Sequence, residues 1–218
     1  MTTNSETNLD KYWQYALWLA IITILYNLAE GVFSVAFGAT DGALTLFGFG
    51  IDSFIEVLSG LGILAMVVRI RSHPQTSHSQ FERTALRITG IAFFILAAGL
   101  AVTAVYNLIA GHRPSTTLPG TIISLASIAS MWLLLAGKRK VGRVLDSAPI
   151  LADANCTLTC IYMSLVLLAA SLIYQFTGFG FVDSLGSLGL IYFSLNEGKE
   201  AFEKARGISN ECDCEGEE

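Results

Sequence analysis

"LADANCTLTCIYMSLVLLAASLIYQF", residues 151–176, is the stretch whose reading decides the fold. Beyond Cys160 it is dominated by apolar side chains, and the whole run is long enough for a helix that crosses a bilayer, which takes about 20 such residues. Its first ten residues nevertheless hold an acid, Asp153, and two thiols, Cys156 and Cys160. Hydrocarbon offers none of these a partner, and an ionisable group inside a span is a functional candidate by default. The partner must come from elsewhere in the chain.

The composition agrees with a membrane protein. Hydrophobic residues make up 53% of the 218 and charged ones only 14%, against about 25% charged in an ordinary soluble domain. The net charge of −5 is unevenly placed, because five acids crowd into "ECDCEGEE", residues 211–218, and others interrupt apolar runs. No basic patch suits nucleic acid. The four cysteines fall in two close pairs, which favours metal binding or redox chemistry over a disulfide framework. The opening "MTTNSETNLDKYWQY" lacks the basic start and short apolar core of a cleavable signal. Residues 1–11 are expected to form a polar tail ahead of the first span.

Six stretches qualify as spans, at 12–37, 43–68, 84–110, 117–137, 149–176 and 180–202. Segments rich in Gly, Pro and Ser, such as "GATDG" and "GHRPSTT", separate them. The expected fold is an all-α, six-transmembrane-helix bundle. Basic residues set its orientation. Lys11 precedes the first span, Arg69, Arg71, Arg83 and Arg87 flank the second loop, Lys138, Arg139, Lys140 and Arg143 fill the fourth, and Lys199, Lys204 and Arg206 end the last. Only Arg113 falls on the other side, so both termini are expected in the cytoplasm.

The acids within the first five spans are Glu30, Asp52, Glu56 and Asp153. Each costs about 2.5–3.5 kcal/mol on insertion scales when unpartnered. In "FGFGIDSFIEVLSG", Asp52 and Glu56 stand at i and i+4, on one helix face with Cβ atoms about 5–6 Å apart. Cys156 and Cys160 repeat that spacing, with Asp153 three residues earlier. At 1.5 Å per residue, the acid pair lies about 14–20 Å from the start of its span and the thiol pair about 10–17 Å from the opposite end. Both therefore approach the middle of a core about 30 Å thick. Two carboxylates and two thiolates can coordinate a cation tetrahedrally, as zinc prefers. Thiolates favour zinc, cadmium or copper(I) over magnesium and calcium. Two neighbouring carboxylates also repel one another, and need a shared proton or a cation between them.

On these residues the chain resembles the cation diffusion facilitators, membrane exporters of zinc and other divalent metals that usually act as homodimers and exchange metal for protons. "GATDGALTLFGFGIDSFIEV" is similar to helix two of that family. "ADANCTLTC" is similar to the helix-five pattern Ala-Asp-x-x-His-x-x-x-Asp, with Cys156 at the His position and Cys160 at the final Asp. "FVDSLGSLGLIYFSLNEG" resembles helix six, with Asp183 at its acidic position. The resemblance implies a multi-pass transporter in which Asp52, Glu56, Cys156 and Cys160 ligate the transported metal. Asp153, Glu30 and Asp183 would support that site or couple it to protons. Both helix-five ligands are thiols here, no His-rich stretch joins helices four and five, and only "RGISNECDCEGEE" stands where a cytoplasmic domain usually follows. The expectation is therefore a compact six-helix form, with residues 207–218 as an acidic tail whose Cys212 and Cys214 could collect a soft cation.

The mechanism this implies is proton-coupled alternating access, with small residues such as Ser59, Gly60, Gly62, Gly186 and Gly189 allowing close helix contacts. Two other classes stay open from sequence. One is a membrane protein that binds metal, or regulates, without transporting. The other pairs Cys156 with Cys160 in a disulfide, although helical i,i+4 Cβ atoms at about 5–6 Å stand wider than the about 3.5–4.5 Å of a disulfide. No nucleophile–base pair, phosphate loop or cofactor motif suggests an enzyme.

Overall fold

The structure, a computed structural model, describes residues 3–72, 79–110, 118–179 and 181–206. Six helices cover them: α1 (Thr3–Asp41), α2 (Leu44–Ser72), α3 (Ser79–Ala110), α4 (Leu118–Val144), α5 (Ala148–Thr177) and α6 (Phe181–Arg206). The acidic tail with Cys212 and Cys214 lies outside the described residues.

Two boundaries differ most from the sequence expectation. α1 begins at Thr3, so most of the polar stretch expected as a tail is helical. It contains neither Gly nor Pro, and nothing there stops the helix growing into water. α4 runs to Val144, not 137, and takes Lys138, Arg139, Lys140 and Arg143 into the helix. Lys138, Arg139, Lys140 and Arg143 are good helix formers that carry the helix to Val144, and the chain turns at Asp146, whose φ of 47° is left-handed, and Ser147.

The joints explain the antiparallel arrangement. α1 and α2 are linked through Gly42, at φ 66°, and the amide of Ala43 donates to the carbonyl of Gly38 at 2.9 Å. Pro149 sits in the first turn of α5, where a missing N–H costs nothing. Gly178 closes the helix in the left-handed conformation, its N–H donating to Tyr174 O at 2.7 Å. The most extensive helix contacts join α1 to α2, α3 to α6 and α4 to α5. α2 also touches α3, α5 and α6, and so occupies the middle of the bundle.

The bundle is apolar outside and partly polar within. Trp18, Leu25 and Phe33 of α1, Ile109 of α3 and Trp132 and Leu133 of α4 are exposed, while Thr23, Asn27, Ser124, Ser127, Ser164, Ser187 and Ser194 are buried. Lipid, unlike water, favours this distribution, because backbone and side-chain polar groups then find partners only inside. Among the described residues five helices, α1 to α5, are long and apolar enough to cross a membrane. α6 has the length but carries Asp183, Asn196, Glu197, Lys199 and Glu200 along it. Its polar and small residues Asp183, Ser184, Gly186, Ser187, Ser194, Glu197 and Gly198 are turned inward.

Glycines let α1 and α2 touch along their backbones. A Cβ at Gly50 would lie 2.7 Å from Val35 N and 2.8 Å from Ser34 Cβ. Gly50→Val is therefore expected to destabilise the bundle by about 1–3 kcal/mol, read as a lowered unfolding midpoint in detergent. Gly99, whose Cβ would meet nothing within 4 Å, is the control: Gly99→Ala should leave the midpoint unchanged or raise it.

Candidate metal centre

Asp52 and Glu56 project from one face of α2, and both are buried. Cys160 of α5 meets them: its Sγ lies 3.0 Å from Glu56 Oε2 and 3.5 Å from Asp52 Oδ2, so the thiol is placed to donate to either carboxylate. The second thiol, Cys156, is half-buried one turn nearer the start of α5. All four side chains line one cavity between α2, α3, α5 and α6. Both thiols are free in the structure.

Among the described residues no group of three or more His, Cys, Asp and Glu side chains is arranged as a ready-made cage for an ion. Cys160 has one S–H proton, which it can give to Glu56 or to Asp52 but not to both at once.

Other acids are committed elsewhere. Glu30 accepts from Tyr26 Oη at 3.1 Å and from Ser53 Oγ at 3.0 Å, and it does not line the cavity. Ser53 neighbours Asp52 in sequence, so Glu30 steadies α2 from behind the site. Asp183 accepts from the backbone amides of Leu44 and Thr45 at 2.7 and 3.1 Å. It thus caps the start of α2, where free N–H groups and the helix dipole favour a carboxylate. Thr45 Oγ1 completes the clasp by donating to the carbonyl of Asp183 at 2.6 Å.

Asp153 forms an ion pair. Its Oδ2 lies 2.8 Å from Nζ of Lys138, and both side chains are almost wholly buried. Lys138, expected from sequence among the charges of a cytoplasmic loop, instead belongs to α4 and is 1% exposed, because a buried acid on α5 gives its ammonium a partner. Lys138 also donates to Thr157 Oγ1 at 2.8 Å, and the same hydroxyl lies 3.3 Å from Glu56 Oε1. A chain of polar contacts therefore runs from α4 through α5 to α2.

Glu197 is a second residue the sequence reading passed over. It lines the cavity from α6, 5% exposed, and accepts from Thr159 Oγ1 at 2.6 Å. The cavity wall thus carries three carboxylates and two thiols, a donor set suited to a cation with some affinity for sulfur.

A family model, the cation efflux transmembrane domain, matches residues 20–206. The chain belongs to the cation efflux family. It is an integral, multi-pass membrane protein, from a family of transporters rather than enzymes. At 26% identity over 173 residues it is similar to the uncharacterized transporter MJ0449 of Methanocaldococcus jannaschii. That similarity covers 77% of this chain and 60% of the relative, so this cation efflux domain spans less than two thirds of the relative's length.

The different exposure of the two thiols can be measured. In a Cys212→Ser/Cys214→Ser background, Cys156 should react with a water-soluble maleimide about tenfold faster than the buried Cys160. Equal rates, read by mass spectrometry of the labelled peptides, would contradict the placement of Cys160 against the α2 acids.

Proposed function

We propose that this domain exports zinc, or a cation of similar softness such as cadmium or copper(I), by proton-coupled alternating access. Asp52, Glu56, Cys156 and Cys160 are the metal ligands in this reading. The observation that carries it is the contact of Cys160 with both α2 acids inside a cavity that also receives Cys156, in a chain of the cation efflux family.

The chemistry follows from the donors. Thiols bind metal as thiolates, so loading an ion expels protons. The proton between Cys160 and Glu56 is one that the metal replaces, since both groups then turn their lone pairs to the ion. Protons arriving from the opposite side of the membrane restore the thiols and release the cargo. Two thiolates give a preference for zinc, cadmium or copper(I) over magnesium and calcium. Asp153 and Glu30 act from behind the ligands, on α5 and α1. Asp183, distant from the thiols, keeps α2 anchored at its start.

The remaining assignments rest on sequence. The bias of basic residues supports cytoplasmic termini even without Lys138, because eleven of the remaining twelve Lys and Arg still fall on one side. Family resemblance supports a homodimer. Residues 207–218 form an acidic tail in which Cys212 and Cys214 gather metal at the cytoplasmic mouth.

Reconstitution in liposomes tests the proposal. With a pH gradient imposed, wild-type protein should move zinc or cadmium with counter-directed protons and leave magnesium behind. Asp52→Asn and Cys156→Ser/Cys160→Ser should each lower the rate at least about tenfold, the usual scale for losing a ligand or its immediate support. Zinc binding without any flux would overturn export in favour of a metal-binding membrane protein. Unchanged flux in both variants would overturn the ligand set.

A further inference from the structure

The Lys138–Asp153 pair is more than charge neutralisation within itself. Only one oxygen of Asp153 is engaged: Oδ2 meets the ammonium, while Oδ1 is buried without a hydrogen-bond partner. The ammonium has three donors, and one of them is directed to Thr157, not to the acid. Thr157 in turn touches Glu56, a carboxylate of the proposed metal site. A pair that served only itself would gain little, since desolvating two charges roughly cancels their attraction and an apolar replacement is often as stable.

We propose that Lys138 is the built-in counter-cation of the metal site: a tethered ammonium, one hydroxyl removed from Glu56, that sets how tightly the site holds its cargo. This rests on the metal-site reading above and adds to it a residue from α4, a helix that supplies no ligand. The argument is electrostatic. While no metal is bound, the ammonium offsets part of the negative charge that α2 and α5 place inside the bilayer. When a divalent cation enters, the same ammonium repels it at short range in a medium of low dielectric constant. The site then binds the ion strongly enough to load and weakly enough to release. Asp153 moderates the ammonium by taking up part of its field, so the two residues act on the metal with opposite sign.

That opposition gives the test. Zinc affinity is measured in detergent by competition with a fluorescent chelator, alongside the unfolding midpoint and the liposome KM and kcat. Asp153→Asn leaves the ammonium unopposed and should weaken zinc binding about tenfold. Lys138→Gln/Asp153→Asn removes both charges while keeping similar shapes, so it should fold with a midpoint close to wild type. It should bind zinc about tenfold more tightly, and lower KM and kcat together because release slows. A purely structural pair predicts otherwise: the double variant would bind and transport as wild type does. That result, or weaker binding in the double variant, overturns the inference. Absence of zinc binding in the wild type itself would instead overturn the metal-site reading, and this inference with it.

Discussion

Carboxylates cannot stay inside a membrane alone, and this constraint organises the bundle. Each buried acid among the described residues has a donor on another helix. Glu30 of α1 takes a hydroxyl from α2, Asp52 and Glu56 of α2 meet a thiol of α5, Asp153 of α5 takes the ammonium of α4, Asp183 of α6 takes the amides opening α2, and Glu197 of α6 takes a hydroxyl of α5. Hydrophobic burial does little to choose between helix pairings in lipid, because the tails are as apolar as leucine. The buried acids add what apolar packing lacks, because each contact ties one helix to a particular neighbour. Position and function are therefore linked: the contacts that hold α2 at the centre also gather the donors around the cavity.

Much of this was legible in the sequence, and the part that was not has an identifiable cause. The six helices, five of them apolar enough to span, and the two i,i+4 pairs were readable because both signals are local, resting on composition or on helical spacing within one segment. The matching depth of the two pairs made a contact of Cys160 with Asp52 and Glu56 possible, while which helix faces meet was not legible. Lys138 was missed because it stands beside Arg139 and Lys140, and three adjacent basic residues suggest a loop. The signal that could have found it is hairpin register. α4 and α5 turn at Asp146, and Lys138 and Asp153 lie nearly equal distances on either side, so they must come level with each other. Glu197 and Thr159 are likewise equidistant from Gly178, the turn between α5 and α6, and they too are in contact.

Asp183 shows the limit of such reasoning. Its match to an acidic position of the family implied a part in ligand support or proton coupling, but its hydrogen bonds go to the amides of Leu44 and Thr45. α2 opens after Gly42 and Ala43, neither of which has a side chain able to cap it. A helix end buried without a cap draws its partner from wherever the fold provides one. The capping residue lies 139 positions away at Leu44, and neither periodicity nor spacing reports a contact of that range.

The walls of the cavity are drawn from more than one helix pair. α1, α2, α4 and α5 are joined by the hairpins α1–α2 and α4–α5, by contacts of α1 with α4 and α2 with α5, and by the polar chain from Lys138 to Glu56. This group contributes Asp52, Glu56, Cys156 and Cys160. Thr89, Phe93 and Glu197 reach the cavity from the α3–α6 pair, which is packed more extensively within itself than against α2 or α5. Glu197 is bonded across that boundary through Thr159. Of the three carboxylates around the cavity, two stand on α2, and the one of them nearest Cys160 meets it at 3.0 Å across the α2–α5 contact. The third, Glu197, comes from α6 and meets α5 through the Thr159 hydroxyl.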